Sequence, residues 1–318
     1  MLYLELSVGL ILLLLGGDAL VRGGVGIARR LAVSPLLIGL TLVGFGTSTP
    51  ELVTSVEAAL RGSPGIAVGN VVGSNTANIL LILGLAALIQ PLATERQMLK
   101  RDGTAMLLAA LACCVAVLLG TISRPAGVVL VLLLAAYVYA TYRLERRAPA
   151  PAADGHALAA SGEIRLPKGL CLGLLILAGG LGLTLLGAKL LVDSAIELAK
   201  AVGVSETVVG LTVVAVGTSL PELATSTIAA WRRHSDVAIG NVVGSNIYNV
   251  LGILGVTAVV KPIAVPGEIA AVDIWVMLAA TLLLLLFAFT GSRICRAEGA
   301  IFLVGYIVYV GWLVAVAV

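Results

Sequence analysis

The chain has 318 residues, 60% of them apolar and 12% charged, with 20 Lys and Arg against 17 Asp and Glu for a net charge of +3. Soluble proteins carry roughly 25% charged residues, and a mean hydropathy of +1.11 leaves too little polar surface to cover a body in water. A soluble enzyme, a nucleic-acid binder and a disordered chain are excluded, which leaves an integral membrane protein.

A spanning helix takes about 20 mostly apolar residues, and the first such run falls at roughly 2–21. It lacks a basic start, carries Glu5 and shows no small-residue cleavage site before Arg22, so it reads as a helix and not a signal peptide. Spans follow at roughly 35–60, 65–90, 104–121 and 125–142. The stretch 143–168 is rich in Ala and Pro, holds His156, and reads as a flexible linker. Further spans at roughly 169–188, 206–231, 237–260, 272–290 and 299–317 bring the expected total to about ten. The apolar runs are continuous, which speaks against the alternation of a β-barrel, and 37 glycines suit closely packed helices. The predicted fold is an all-α membrane protein with units 1–142 and 169–318 joined by the linker 143–168.

Basic residues divide about fifteen to five between the two faces, and the richer face is expected inside. That puts both termini outside and the linker in the cytoplasm. The chain also repeats itself: shifting it by 171 residues lays Gly39–Gly84 on Gly210–Gly255 without a gap, with about 28 of 46 positions identical. Five spans is an odd number, so the second copy enters the membrane from the opposite face. Inverted repeats mark secondary transporters, with the site at the midplane between the copies.

Two motifs recur in the repeat. Gly46-Thr47-Ser48-Thr49-Pro50-Glu51 is matched by Gly217-Thr218-Ser219-Leu220-Pro221-Glu222. Pro lacks an N–H, so Pro50 and Pro221 are expected to free the carbonyls of Gly46 and Gly217. Such oxygens are tolerated at membrane depth only where they line a cavity or bind something. Thr47, Glu51 and Ser55 share one helix face, as do Thr218, Glu222 and Ser226, and all offer hard oxygens suited to Na⁺ or Ca²⁺. Asn70-x-x-Gly73-Ser74-Asn75-x-x-Asn78 is matched by Asn241-x-x-Gly244-Ser245-Asn246-x-x-Asn249. The spacing of Asn70, Ser74 and Asn78 stacks them on one face, either to coordinate ions or to position the glutamates.

A single Ser or Asn between membrane helices can be packing glue worth about 0.6 kcal/mol. That reading fails for Glu51 and Glu222. A carboxylate at the bilayer centre costs at least about 2.5–3.5 kcal/mol, and neither motif contains a basic partner. A bound cation is the natural counter-charge. Among other candidates, Glu57 faces Ile228 across the repeat and reads as a helix end or an ion entry path. Asp102 and Asp273 are expected at helix starts, where the dipole favours them, and Asp18 and Asp193 at the interface. His156 and His234 fall in predicted loops. Cys113, Cys114, Cys171 and Cys295 have no metal or disulfide spacing and read as buried thiols.

At these two motifs the sequence resembles the cation/Ca²⁺ exchanger superfamily, in its Na⁺/Ca²⁺ exchanger branch, and the resemblance covers the whole architecture. It implies a central Ca²⁺ held by Glu51, Glu222 and the carbonyls of Thr47 and Thr218. Flanking Na⁺ sites would use Ser48, Ser74, Ser219 and Ser245 with carbonyls near Gly44 and Ala215, and Asn78 and Asn249 would border the centre. Asn249 stands where K⁺-dependent members carry Asp, which implies no K⁺ dependence. The proton-coupled branch typically has G-N-x-x-E at the first motif, so Na⁺ coupling is favoured, with a Ca²⁺/H⁺ antiporter on the same scaffold as the alternative. Na⁺ and Ca²⁺ are then substrates and no cofactor is expected. The expected setting is a prokaryotic plasma membrane, with the lipid bilayer and the ions as partners, no nucleic acid, and a monomeric state. An intramembrane enzyme is disfavoured because neither H-E-x-x-H nor a P-loop is present. A channel is disfavoured because so charged a site holds ions too tightly.

Overall fold

A computed structural model describes residues 2–31, 35–62, 64–147, 169–201 and 215–317. Most of the linker (148–168, with His156) and the start of the expected span 206–231 lie outside the described residues. Helix α1 spans Leu2–Leu31. It is followed by an interrupted stretch: a turn at Pro35–Ile38, a π segment at Gly39–Val43 and a turn at Gly44–Thr47. Helix α2 resumes at Thr49–Leu60, α3 runs Pro64–Ile89, α4 Arg96–Leu118 and α5 Arg124–Arg147. The second half repeats the order with α6 (Leu170–Ala201), a turn at Ala215–Thr218, α7 (Leu220–Trp231), α8 (Ser235–Val260), α9 (Ile269–Gly291) and α10 (Arg296–Ala317).

Eight of the described helices are long and apolar enough to cross a membrane. The two short ones, α2 and α7, follow breaks at Ser48 (φ −82°, ψ 12°) and Ser219 (φ −90°, ψ 6°). In both, Pro sits in the first turn of the resumed helix, where its missing N–H costs nothing. The break therefore comes from the sequence itself, at the same place in each copy.

Helices α1 and α6 are longer than the spans expected from hydropathy. At 30 residues, α1 is about 45 Å long against a hydrocarbon core of about 30 Å. The two pack against each other through glycines seven apart on each helix, Gly16 and Gly23 on α1 and Gly180 and Gly187 on α6. A Cβ on Gly16 would lie 2.6 Å from Thr184 N, and one on Gly187 would lie 2.6 Å from Leu13 N. Only hydrogen at these positions lets the backbones meet.

The rest is built around α3 and α8, which hold much of the buried apolar cluster (Val68, Val71, Ile79, Ile82, Val242, Ile247, Ile253). Both change to a π turn at equivalent places, Asn78–Leu83 and Asn249–Leu254. Two short antiparallel ladders close the ends. Strand β1 (Leu92–Ala93) pairs with β4 (Arg293–Ile294), and β2 (Thr121–Ile122) pairs with β3 (Ile263–Ala264). Each ladder thus joins one copy to the other, and exchanging the copies turns one ladder into the other. Large apolar side chains such as Leu132, Leu175, Val304 and Ile307 are exposed along the outer helices, as a lipid-facing surface requires.

Two aspartates and two cysteines depart from the expectation. Asp102 does not start a helix, because α4 begins six residues earlier. It is fully buried, paired with Arg101 at 2.9 Å and accepting the Tyr137 hydroxyl at 3.0 Å. Asp273 lies inside α9 and accepts the Tyr309 hydroxyl at 2.7 Å. Of the cysteines, Cys113 and Cys114 are buried, Cys171 is exposed and Cys295 half-buried. Glu57 is exposed and pairs with Arg61 one turn on. Asp18 pairs with Arg22 at 2.7 Å and with Arg232 at the end of α7.

Candidate functional site

The two breaks bring the motifs together across the copies. Ser48 Oγ donates to Glu222 Oε1 at 2.6 Å, and Ser219 Oγ donates to Glu51 Oε1 at 3.1 Å. Each serine therefore serves the glutamate of the other copy. The main chain has to leave helical geometry at Ser48 and Ser219 for these hydroxyls to reach across. Glu51 is 1% exposed and Glu222 is wholly buried, and among the described residues no basic side chain pairs with either.

Asparagines on α3 and α8 brace the glutamates from behind. Asn70 Nδ2 donates to Glu51 O at 3.1 Å and to Ser55 Oγ at 3.0 Å, and Asn241 Nδ2 donates to Glu222 O at 3.4 Å and to Ser226 Oγ at 2.9 Å. Their Oδ1 atoms accept the hydroxyls of Thr218 and Thr47, at 3.4 and 3.3 Å. Both threonine hydroxyls thus lie within hydrogen-bond reach of an asparagine of the other copy.

The remaining expected residues gather at the same place. Ser74 Oγ lies 3.2 Å from Ser219 Oγ, whose single proton goes to Glu51, while Ser245 Oγ donates to Gly44 O at 3.2 Å and lies 3.5 Å from Glu222 Oε1. Asn78 and Asn249 are buried and hydrogen-bonded across the copies to Asn246 and Asn75. Ala215 opens the short turn before Ser219. One expectation is corrected: the Gly46 carbonyl is not free, because Thr49 Oγ1 donates to it at 2.8 Å. Leu220 stands where Thr49 would be in the second copy, so Gly217 has no such hydroxyl. Gly44 O is also engaged, by Ser48 N at 3.1 Å and by Ser245 Oγ, with Thr47 Oγ1 lying 3.2 Å away.

Four acceptors in this cluster have no donor among the described residues: Glu51 Oε2, Glu222 Oε2, Asn78 Oδ1 and Asn249 Oδ1. They come in two equivalent pairs, one atom of each pair from each copy. Buried oxygens without donors are rare and costly, and two of these belong to carboxylates. A hard cation relieves both problems, since it supplies positive charge and takes such oxygens as ligands. Among the described residues no group of three His, Cys, Asp or Glu is placed to hold a metal, so the donors here are carboxylate, amide and hydroxyl oxygens, unsuited to a soft ion. Asn75 and Asn246 were legible as motif letters, yet spacing along one helix did not reveal that each grips the other copy.

Known proteins are similar to this chain over most of its length. Residues 2–143 and 172–315 match the family model described as sodium/calcium exchanger protein. The sodium/calcium exchanger MaX1 of Methanosarcina acetivorans is 37% identical over 96% of this chain and 97% of its own length. The inner membrane protein YrbG of Escherichia coli is 34% identical over 97% of this chain and 95% of its own. Among solved structures, the sodium-calcium exchanger NCX_Mj, soaked with Na⁺ and Ca²⁺, superposes with a TM-score of 0.82 at 35% identity, covering 98% of this chain and 99% of that one.

Proposed function

We propose that this chain, which belongs to the sodium/calcium exchanger protein family, is a secondary active antiporter exchanging Na⁺ for Ca²⁺ by alternating access at a midplane site built on Glu51 and Glu222. The observation that carries this reading is the set of four buried acceptors without donors, two carboxylate and two amide oxygens. Central Ca²⁺ is held by Glu51, Glu222 and the Thr47 and Thr218 carbonyls, with Asn78 and Asn249 at its border. Na⁺ uses Ser48, Ser74, Ser219 and Ser245, with carbonyls near Gly44 and Ala215.

The two glutamates bring a charge of about −2 that must be neutralised before the site passes through low dielectric. One Ca²⁺ or several Na⁺ achieve this on the same oxygens. Competition for them, with a barrier to moving the empty site, enforces exchange in place of leak. Na⁺ entering down its gradient then drives Ca²⁺ out. The scaffold is ten transmembrane helices in two inverted five-helix repeats, supported by the paired breaks, the exchanged ladders and the reciprocal bonds at the site. Both termini lie outside, the linker lies inside, and the host membrane is a prokaryotic plasma membrane.

The test is uptake of radiolabelled Ca²⁺ into proteoliposomes preloaded with Na⁺, choline or acidic buffer. Uptake with internal Na⁺ alone, lost in Glu51→Gln, is the expected result. Uptake driven by internal acid without Na⁺ would replace this reading with Ca²⁺/H⁺ antiport.

A further inference from the structure

A carboxamide is nearly symmetric in shape but opposite in chemistry at its two ends: Oδ1 accepts, and the NH₂ group only donates. An asparagine beside a cation is useful only with its oxygen turned inward. We propose that Asn75 and Asn246 are positioning residues that set this orientation for Asn78 and Asn249, an inference that rests on the exchange site described above.

Two backbone carbonyls, which can only accept, anchor the arrangement. Asn246 Nδ2 donates to Asn75 O at 3.3 Å, and Asn75 Nδ2 donates to Asn246 O at 3.2 Å. These bonds fix which end of each side chain is which, so the Oδ1 atoms of Asn75 and Asn246 face the other way as acceptors. Asn78 Nδ2 fills one, donating to Asn246 Oδ1 at 2.9 Å, and Asn249 Nδ2 fills the other, donating to Asn75 Oδ1 at 2.9 Å. Turning the Asn78 amide over would set two oxygens against each other and leave a buried NH₂ without an acceptor. Its Oδ1 is therefore held away from Asn246, buried and without a donor, as is that of Asn249.

The clasp is reciprocal: Asn75 and Asn78 come from α3, Asn246 and Asn249 from α8. Each copy's site amide is oriented by the other copy, and the π turns opening at Asn78 and Asn249 lie at the crossing. Asn75 and Asn246 touch no ion themselves. They act through the neighbouring amide, making the site an acceptor before any cation arrives.

The test is a double-mutant cycle read as KM and kcat for Na⁺-driven Ca²⁺ uptake in proteoliposomes. Asn246→Leu, which keeps the branching of the side chain, removes the acceptor that Asn78 Nδ2 needs. KM for Ca²⁺ rises about tenfold, the scale on which loss of a ligand-orienting partner acts, while kcat changes by less than about twofold. Asn246→Asp keeps an acceptor for Asn78, loses the Nδ2 contacts to Asn75 O and Met106 Sδ, and adds a buried negative charge that favours a cation, so its KM for Ca²⁺ does not rise. In an Asn78→Ala background Asn246→Leu adds nothing further, because the group it orients is gone. The proposal is overturned if Asn246→Leu leaves KM unchanged, if Leu and Asp are equally damaging, or if the two effects multiply in the double variant. Should Asn246→Leu not fold, Asn75→Leu with Asn249→Ala runs the same cycle from the other copy. Absence of Na⁺-driven uptake in the parent would remove the exchange reading and this inference together, whereas normal parent uptake with an unaffected Asn246→Leu removes this inference alone.

Discussion

Replacing Glu222 with Gln takes away one charge and keeps nearly the whole volume. Glu222 Oε1 accepts Ser48 Oγ at 2.6 Å, and Oε2 has no donor. In the variant the amide oxygen keeps the serine, and the amide NH₂ takes the place of Oε2, aiming donors where a cation would sit. Removing one partner of a buried charge pair costs about 3–5 kcal/mol. At about 1.4 kcal/mol per decade, Ca²⁺ affinity falls by roughly a hundred- to several-thousandfold. The sign reverses in the empty protein, where Glu222 is a fully buried carboxylate beside a second one and without a basic partner. A neutral amide relieves that cost. The assay is thermal unfolding of the purified protein in detergent, with and without Ca²⁺. Parent protein gains about 2.7 kcal/mol at a hundred times Kd. The empty variant unfolds at a higher temperature than the empty parent, and its Ca²⁺-induced rise disappears. A variant that is less stable when empty and keeps the full rise with Ca²⁺ would refute the assignment of this carboxylate to the cation.

Further outcomes follow from the same geometry. Gly244→Ala would put a Cβ 2.3 Å from Leu40 O and 2.6 Å from Leu40 Cα; backbone cannot step aside, so overpacking of about 1–3 kcal/mol or more lowers the unfolding midpoint by several degrees. Asn70→Leu and Asn241→Leu each strip a glutamate carbonyl and a serine of their donor, costing about 1–3 kcal/mol. The two variants should match in a denaturation series, and a one-sided loss would break the equivalence of the copies. Cys113 and Cys114, at 0% and 5% exposed, resist maleimide until the protein unfolds, as adduct mass will report. Mg²⁺ at equal concentration fails to compete with Ca²⁺ for uptake, because it sheds water reluctantly and demands near-ideal octahedral geometry.

Much of this protein was readable from the residues in order. Hydropathy located the eight helices that are long and apolar enough to cross a membrane among the described residues, because a membrane imposes one length and one chemistry on every crossing. The repeat and the charged motifs pointed to Glu51 and Glu222 because a carboxylate without a partner in an apolar run is too costly to keep unless it binds something. The ends of α1, α4 and α6 were misplaced, since a helix continues past the hydrocarbon wherever its backbone bonds are still made. Asp102 was read as a helix start because a chain-order view does not see Tyr137 and Arg101 closing over it.

Composition, periodicity and the duplicated motifs by themselves determined a helical membrane protein of two matched halves with polar oxygen-bearing side chains at equivalent positions. Only the tertiary structure decided how those side chains meet. That Ser48 serves Glu222, that Ser219 serves Glu51, and that Asn75 and Asn246 clasp each other are relations between residues about 170 positions apart, created when two helices cross. Local sequence governs which groups a helix presents and on which face. Which partner each group finds depends on the packing of whole helices, and a hydrogen bond is sensitive to that packing at the level of tenths of an ångström.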